Sequence, residues 1–416
     1  MRFFKRMTLL GAAAATLLGG SVLTQAAEEL SGDLNIFLDT SNPAPRAAME
    51  GMIERFQKMH PDVNIKTTII DSEGYKTQIR NFLSANPPDV VTWFAGNRMK
   101  PYVETGLFED VSVLWQGELA EELSSTRKAM TIDGKQWGIP YSFYQWGVYY
   151  REDIYKELGL TEPKNWDEFK ANCQKIIDSG RKCFSIGTKF LWTAAGWFDY
   201  LDLRQNGYEF HMDLTDGKIS WEDQRVRDVF ALWRELIDMG AFVDNHAAYS
   251  WQEALPFMVK GEAAGYLLGN FIVPPLREAG LTDDKLGFYQ FPEIVAGIPL
   301  AEDAPTNSFH VPSGAKNKEN ALAFLAYVAD ADNQSILSEQ LGQLAVNSKS
   351  KVPDDKFMET GFEMLGNAYA LAQFFDRDAP SEMARIGMEG FQEFMVKPDN
   401  LDRILARLER ARQRIY

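Results

Sequence analysis

Two short apolar segments decide the fold of this chain: Leu34-Asn35-Ile36-Phe37-Leu38-Asp39 and Pro87-Pro88-Asp89-Val90-Val91-Thr92-Trp93-Phe94. Between them, residues 44–60 carry apolar side chains at helical spacing, residues 63–70 alternate as a strand does, and residues 75–83 return to helical spacing. Strand, helix, strand, helix, strand is the order of βαβ units. The sequence therefore predicts an α/β fold built on a parallel sheet.

The two segments also predict where a ligand binds. In parallel α/β sheets, ligands bind outside the carboxyl ends of the strands. Asp39, Ser41 and Asn42 follow the first segment and offer hydrogen-bonding groups, whereas Trp93 near the end of the second offers a flat apolar face. These groups suit a polar, ring-shaped solute.

The beginning of the chain has the pattern of a secretory signal peptide. Residues 1–6 are basic, residues 8–23 form an apolar run, and Thr24 and Ala26 supply small residues before a cleavage point. The apolar run is short for a membrane span, and no cysteine lies near the cleavage point. We therefore predict a signal peptide over residues 1–26 and a periplasmic protein that is neither a lipoprotein nor inserted directly in the membrane.

The net charge and the length of the chain further restrict the possible partners and the domain organisation. The net charge is −16, and removal of residues 1–26, which hold three basic residues and no acidic one, makes it −19. Nucleic-acid binding needs clustered Lys and Arg, so we predict no nucleic-acid partner. About 390 mature residues exceed what one core usually serves, which predicts two lobes.

The only two cysteines are Cys173 and Cys183. In an oxidising compartment, a pair this close in sequence indicates a disulfide. The alternative is two buried free thiols.

Catalytic and metal-binding patterns receive little support. The four histidines are scattered without metal-ligand spacing, and the chain has no Gly-x-Ser-x-Gly, His-Glu-x-x-His or phosphate-binding glycine motif. A secreted glycosidase would need two carboxylates flanking one bond, and among 59 acidic residues such a pair is uninformative. We predict no enzyme, no metal and no cofactor.

Eight further segments occur in an order typical of one protein family. They are residues 56–61 (FQKMHP), 88–91 (PDVV), 102–108 (YVETGLF), 133–140 (DGKQWGIP), 149–153 (YYRED), 260–265 (KGEAAG), 269–271 (GNF) and 316–321 (KNKENA). Together they resemble the extracellular solute-binding proteins, family 1, that serve carbohydrate-importing ABC transporters, the group that includes maltose-binding protein. The resemblance covers nearly all of the chain after the signal peptide.

The resemblance implies a type II periplasmic-binding-protein-like fold, with two lobes that are each a sheet flanked by helices and are joined by crossing hinge strands. The lobes of such proteins close around the ligand. Chain order predicts a first lobe of residues 28–140 and 307–345, a second lobe of residues 141–306 and 346–416, and hinge crossings near residues 139–143, 306–309 and 346–347.

The resemblance also implies aromatic side chains that hold sugar rings. The candidates are Trp93, Tyr141, Tyr144, Trp192, Trp197, Trp251 and Phe271, whereas Trp221 and Trp233 are expected in the core. After Gly269-Asn270, where Asn270 is itself a candidate, the family usually has Trp and this chain has Phe271. Phenylalanine offers less stacking area and no indole N–H, so we expect an altered subsite.

The polar candidates depart from the maltose binder of the family. An acidic–basic pair follows the aromatic strand end in that protein, and here Asn97-Arg98 occupies the similar place. A glutamate of that protein corresponds to about Tyr144. These losses of carboxylate argue against maltose as the solute.

Two further polar pairs are candidates. Asn307 and Ser308 lie at the second expected crossing. Asp376-Arg377 is similar to an Asp-Arg pair that faces the cleft in some family members, and the guanidinium could bind a pair of hydroxyls. The alternative for Asp376 and Arg377 is a surface salt bridge, which contributes little.

The sequence thus predicts a monomeric binding protein that captures a sugar, such as a small oligosaccharide or glycoside, and delivers it to the membrane permease of an ABC importer. One alternative is a charged solute such as a sugar acid, sulfonated sugar or opine, with Arg98 and Arg377 as anion partners. A second alternative is a secreted glycosidase, and a third is a sensor coupled to a chemoreceptor, which differs only in its partner.

Overall fold

The computed structural model describes residues 30–40 and 43–416. The predicted signal peptide, Ser41 and Asn42 lie outside the described residues.

The strands of the described chain form two larger sheets and two small ones. The larger sheets have the orders β2-β1-β3-β12-β6 and β10-β7-β9-β8, and the small ones are β11-β13 and β4-β5. The strands are β1 (Gly32–Asp39), β2 (Val63–Ile70), β3 (Val90–Phe94), β4 (Thr131–Ile132), β5 (Lys135–Gln136), β6 (Ile139–Phe143), β7 (Trp146–Arg151), β8 (Lys182–Phe184), β9 (Ala263–Gly269), β10 (Leu286–Tyr289), β11 (Glu302–Asp303), β12 (Thr306–His310) and β13 (Leu371–Ala372).

Helices flank both larger sheets. They are α1 (Pro43–Met59), α2 (Ser72–Ala85), α3 (Lys100–Glu104), α4 (Gly117–Glu122), α5 (Ser124–Arg127), α6 (Glu152–Leu158), α7 (Trp166–Asp178), α8 (Trp192–Gln205), α9 (Tyr208–Thr215), α10 (Gln224–Asp238), α11 (Leu255–Val259), α12 (Val273–Glu278), α13 (Lys318–Ala329), α14 (Ala331–Leu341), α15 (Lys356–Asn367), α16 (Phe375–Asp378), α17 (Ser381–Val396) and α18 (Leu401–Ile415). Five short 3-10 turns supplement them at Gly96–Arg98, Ser112–Leu114, His246–Ala248, Asn270–Ile272 and Pro398–Asn400.

The first sheet begins as the sequence predicts. Strand β1 pairs in parallel with β2 and with β3, and α1 and α2 connect them. The apolar side chains Leu34, Ile36 and Leu38 alternate along β1 and are fully buried. Strand β12 then returns from far along the chain and pairs antiparallel with both β3 and β6.

Asp89, just before β3, fastens this sheet to a distant helix. Its carboxylate accepts hydrogen bonds from the backbone N–H groups of Asn35, Lys316 and Asn317 at 2.9–3.0 Å. The side-chain amides of Asn35 and Asn317 donate two more. The Pro-Asp-Val-Val segment therefore ties β1 and β3 to the start of α13.

The second sheet is more deeply buried. Every residue of β9 is buried, as expected for a central strand covered on both faces. Cys173 in α7 is bonded to Cys183 in β8, which confirms the predicted disulfide. Asn165 caps α7 by accepting a hydrogen bond from the Glu168 N–H.

Buried apolar side chains form two separate cores. The first draws on residues 34–141 and 309–346, and the second on residues 144–304 and 344–411. The chain passes between them after Tyr141, after Ala304 and in the stretch from Leu341 to Phe357. Phe143 packs against both cores, so the β6 and β12 strands lie where the lobes meet.

Candidate functional site

A cleft with a cavity volume of about 640 Å³ lies between the two cores. The first core contributes residues at the end of β1, in α2 and at the end of β3. The second contributes residues around β7, α8, β9 and α16. The cleft is thus at the carboxyl ends of β1 and β3, as predicted.

An aromatic wall covers the side of the second core. Phe271 stands at its centre, with its ring centroid 5.1 Å from that of Trp251, 5.4 Å from Tyr144 and 6.2 Å from Trp192. Trp146 packs behind it, 6.2 Å from Phe271. The pairs are all edge-to-face, a favourable arrangement that fixes the rings around the cleft.

Local structure explains why these rings meet. Strand β9 ends at Gly269, and the 3-10 turn that follows brings Phe271 to the cleft. Helix α8 begins with Trp192, directly after Leu191, whose φ of 71° turns the chain sharply. Both aromatic side chains therefore project from the first residues after a change of direction.

The opposite side of the cleft is polar. Asp39 ends β1, and burial raises the pKa of its carboxyl, partly offset by the hydrogen bond with Thr92 and the charges of Lys76 and Arg377. Asp71 caps α2 by accepting a hydrogen bond from the Gly74 N–H at 2.9 Å. This cap fixes the start of the helix that carries Lys76.

Lys76 connects the two sides. Its ammonium lies 5.9 Å from the ring centroid of Phe94 in the first lobe and 5.9 Å from that of Trp192 in the second. Both distances are within the range of cation–π attraction. The two walls are therefore close enough to enclose a small molecule.

The floor of the cleft holds the Asp376-Arg377 pair. The Arg377 guanidinium lies 4.2 Å from the Phe94 ring centroid and donates to the Thr306 carbonyl at 3.1 Å and to the Tyr144 hydroxyl at 3.2 Å. Asp376 pairs with Arg98 at 3.2 Å. Arg377 is buried and Asp376 lines the cleft, so this pair is not an ordinary surface salt bridge.

The structure brings many of the sequence candidates to the cleft. Those that line it are Asp39, Tyr141, Tyr144, Trp192, Trp251, Phe271, Asn307, Asp376 and Arg377. Arg98 lies behind them, in contact with Asp376.

Trp93 requires a correction. Its side chain is only 3% exposed and packs in the first core, where the indole N–H donates to the Arg98 carbonyl at 3.0 Å. Successive side chains of a strand point to opposite faces. The next residue, Phe94, therefore lines the cleft in its place.

Asn97, Asn270 and Ser308 are also displaced from the cleft. The Asn97 amide donates to the Asp378 carbonyl and lines a separate cavity of about 270 Å³. Asn270 is 1% exposed and donates to the Gly342 carbonyl at 2.7 Å. The Ser308 hydroxyl is buried and donates to the Trp93 carbonyl.

Three other tryptophans lie in the second core. Trp197, a sequence candidate, is fully buried and packs edge-to-face on Phe184 at 4.9 Å. Trp221 and Trp233 are fully buried in the same core, as predicted.

Sequence reasoning missed several cleft residues. Phe94, Lys76, Trp146, Phe190 and Phe374 all line it. Phe94 could have been found from strand alternation, and Lys76 from its place one turn after the Asp71 cap. Phe374 carried no signal, because its position depends on a turn with an unusual backbone.

No group of His, Cys, Asp or Glu side chains within residues 30–40 and 43–416 is arranged to hold a metal ion. Among the same residues, every helix is too short or too polar to cross a membrane.

The family model for the bacterial extracellular solute-binding proteins matches residues 40–335. The chain belongs to this family. The family membership predicted from the eight segments is thus confirmed.

Individual solute-binding proteins are also similar to this chain in sequence. An uncharacterized ABC transporter extracellular-binding protein of Pyrococcus horikoshii is 24% identical over 367 residues, 86% of this chain and 83% of that protein. The multiple sugar-binding protein of Streptococcus mutans is 21% identical over 342 residues, 80% of each chain.

The solved structure of the bacterial solute receptor AcbH, described as having an exclusive substrate preference for β-D-galactopyranose, superposes with a TM-score of 0.85. It is 24% identical in sequence, and the match covers 92% of this chain and 99% of that one. This likeness confirms the predicted two-lobe fold.

Proposed function

We propose that this solute-binding protein captures a neutral sugar, a small oligosaccharide or glycoside, between its lobes and delivers it to the membrane permease of an ABC importer. The aromatic wall around Phe271, with Asp39 on the opposite side of the cleft and Arg377 on its floor, carries this proposal. The S. mutans relative and AcbH, both sugar binders by description, support it.

A sugar matches the two sides of the cleft. Its ring faces are apolar and stack on aromatic side chains, and its hydroxyls need a donor or acceptor each once they leave water. The cavity of about 640 Å³ lies within the usual range for a small-molecule site. The proposed binding residues are Asp39, Phe94, Tyr144, Trp192, Trp251, Phe271, Asn307, Asp376 and Arg377.

The charge of the cleft favours a neutral sugar over a sugar acid. Five of the lining side chains are acidic and three are basic. Lys76 pairs with Glu73 at 3.0 Å and Lys189 with Glu253 at 3.6 Å, so two of the three cations are already matched. The third, Arg377, is held by the Thr306 carbonyl and the Tyr144 hydroxyl.

The two cores suggest how capture works. We assign the first lobe to residues 28–140 and 307–345, and the second to residues 141–306 and 346–416, with hinge crossings near residues 139–143, 306–309 and 346–347. A sugar that contacts both walls stabilises the closed arrangement. The mature protein would act as an exported monomer that binds its sugar without converting it.

A thermal-shift screen tests the proposal. A ligand that binds only the native state raises Tm by mass action. The panel contains D-galactose, D-xylose, lactose, raffinose and D-galacturonate, and titration calorimetry follows each hit. A rise with a neutral sugar supports the proposal, whereas a rise with galacturonate alone favours the charged-solute alternative.

Two tryptophan variants make the result specific to the cleft. Trp192→Ala removes a ring of the wall and should weaken binding of the sugar found by about tenfold or more, since a stacked aromatic contributes on the order of 1 kcal/mol beyond its area. Trp137→Ala is the control, because Trp137 is half-buried against the Ile132 carbonyl and does not line the cleft. Equal losses in both variants would count against the aromatic wall as the binding surface.

The glycosidase alternative is tested in the same samples. Lactose and raffinose are incubated with the protein and analysed by chromatography for released monosaccharides. Turnover would overturn the proposal of a binding protein.

A further inference from the structure

The segment from Gln373 to Asp378 reaches the cleft on one side and a cluster of buried acids on the other. Phe374, Asp376 and Arg377 line the cleft. Phe375 is fully buried in the second core, and Asp378 is nearly so. One short turn therefore carries three cleft side chains.

The turn has a strained backbone. Phe374 has φ 134° and ψ 144°, a region that residues with a side chain rarely adopt because it is strained. Its carbonyl accepts from the N–H groups of Arg377 and Asp378, both at 2.8 Å, which closes α16 directly behind the strained residue. A displaced Phe374 would therefore displace Arg377.

Two buried carboxyl groups hold this turn from behind. Asp378 accepts from the Gln373 N–H at 2.8 Å and more weakly from the Phe374 N–H at 3.4 Å. Asp199, from the middle of α8, accepts from the Phe375 N–H at 2.9 Å. Three consecutive backbone amides thus depend on these two side chains.

The surroundings of Asp199 leave no nearby substitute for its carboxyl group. Asp199 faces His211, whose Nε2 lies 3.8 Å from the other Asp199 oxygen, and Asp303 lies close enough to raise its pKa. His211 is itself held by Asp202 at 2.9 Å. These four side chains are fully buried, so water cannot readily replace the Asp199 acceptor. Asp378 is 8% exposed and lines the cavity of about 270 Å³ beside Asn97.

We propose that Asp199 and Asp378 are positioning residues for solute binding: they hold the turn around Phe374 in the conformation that presents Asp376 and Arg377 to the sugar. The proposal rests on the proposed function. Neither Asp199 nor Asp378 lines the cleft, and each acts through the backbone of the turn.

Substitutions that remove each acceptor test directly whether the two carboxyl groups stabilise the turn. Asp199→Leu keeps the branched shape of the side chain and leaves the Phe375 amide without its acceptor. Asp378→Ala shortens the side chain and leaves the Gln373 and Phe374 amides without theirs. Hydrogen exchange of the Gln373, Phe374 and Phe375 amides in the sugar-free protein should become about tenfold faster, since tenfold corresponds to the ~1.4 kcal/mol scale of one lost buried hydrogen bond. Asp199→Asn and Asp378→Asn retain an acceptor oxygen and should restore most of the protection.

Asp303→Leu is the matched control. Asp303 belongs to the same buried acid cluster, yet its oxygens have no hydrogen-bond partner within residues 30–40 and 43–416. This variant removes a buried carboxyl group that accepts no hydrogen bond from the turn, so exchange of the three amides should stay within about twofold of the wild type. Equal acceleration in Asp303→Leu and Asp199→Leu would overturn the proposal, because it would show a general loosening of the lobe.

A double-mutant cycle with Arg377 tests the link to binding. Affinity is measured by calorimetry with D-galactose, lactose and raffinose as probes. Asp199→Leu should weaken binding about tenfold in the wild type, but less than about twofold when Arg377→Gln is already present, because both changes remove the same contact. Additive losses, or fast exchange with unchanged affinity, would overturn the positioning role.

Failure of the proposed function gives a different pattern. If the wild type binds none of the probe sugars, the sugar assignment fails, and the exchange data still decide whether the two carboxyl groups hold the turn. Unchanged exchange in both acceptor-free variants overturns the inference whatever the solute. If one of the two variants does not fold, the other decides, since each residue binds its own amides.

Discussion

The two lobes bury aspartate carboxyl groups under opposite conditions. Asp89 in the first lobe accepts five hydrogen bonds from Asn35, Lys316 and Asn317. Asp303 in the second lobe is equally buried, and within the described chain neither of its oxygens has a hydrogen-bond partner. The two carboxyl groups therefore differ in their hydrogen-bond partners.

The pKa values of the two groups diverge accordingly. Burial alone would raise the pKa of Asp89, but the hydrogen bonds from Asn317 and Asn35 outweigh it and lower the pKa below its ordinary 3.8. Burial raises the pKa of Asp303 to about 7, and the charges of Asp378 and Glu302 add to it against the opposing charge of His211. The pKa of the buried carboxyl group is thus lowered in the first lobe and raised in the second.

The same comparison extends to the way each lobe fastens a helix to its sheet. Asp89 joins β1 and β3 to the start of α13 without a covalent bond. The second lobe uses the disulfide between Cys173 in α7 and Cys183 in β8. Variants that lack the Asp89 hydrogen bonds or the disulfide compare how much each contributes to stability.

Loss of Asp89 should have the largest effect. Asp89→Asn replaces one acceptor oxygen by a donor that faces other donors, so the free energy of unfolding should fall by about 3 kcal/mol. Urea unfolding followed by tryptophan fluorescence measures it. Asp62→Asn, at an exposed position of the same lobe, is the control and should change stability by less than about 0.5 kcal/mol. A loss below about 1 kcal/mol in Asp89→Asn would contradict the fastening role.

Loss of the disulfide should cost slightly less. The bond closes a loop with a sequence separation of 10, for which chain entropy gives about 2–3 kcal/mol. The Cys173→Ser/Cys183→Ser double variant should show this loss in urea, and dithiothreitol should destabilise the wild type by a similar amount. Because the chain has no other cysteine, the double variant should not respond to dithiothreitol. A response would contradict this account.

Much of the first lobe could be predicted from the sequence because its first strands and helices follow one another along the chain. The alternation of Leu34, Ile36 and Leu38, and the helical spacing that follows, give β1 to β3 directly. The pairing of β12 between β3 and β6 depends on residues about 200 positions apart, which no local pattern records. The choice of Phe94 over Trp93 depends on which face of β3 meets the core.

The candidate site could be predicted where a local sequence pattern identifies its residues. It could not be predicted where residues from distant parts of the chain come together. Phe271 follows a segment with a family pattern and lies at the centre of the wall. The buried acids behind the cleft, Asp199, Asp303 and Asp378, come from three separate parts of the chain. Their interaction exists only in the folded protein, as does the strained turn at Phe374.

The smallest effect is a difference in pH dependence. A carboxyl group with a raised pKa binds its proton more tightly in the folded state, so its contribution to stability is present below pH 3.8 and is lost as the pH rises toward about 7. Asp89 has a lowered pKa, and its contribution is lost as the pH falls below 3.8. Between pH 5 and 7, therefore, Asp303 changes the stability with pH and Asp89 does not.

Asp303→Asn should show how much the Asp303 carboxyl group contributes to the pH dependence of stability. Between pH 5 and 7 the free energy of unfolding of the variant should decline less steeply than that of the wild type. The difference should be about half a proton, or roughly 0.7 kcal/mol per pH unit, because Asp199 and Asp303 titrate as a coupled pair. Scanning calorimetry at pH 5, 6 and 7 measures the slopes. Asp89→Asn serves as the reference and should keep the wild-type slope in this range despite its lower Tm. Identical slopes in Asp303→Asn and the wild type would mean that Asp303 holds no proton there and that the two lobes treat their buried acids alike.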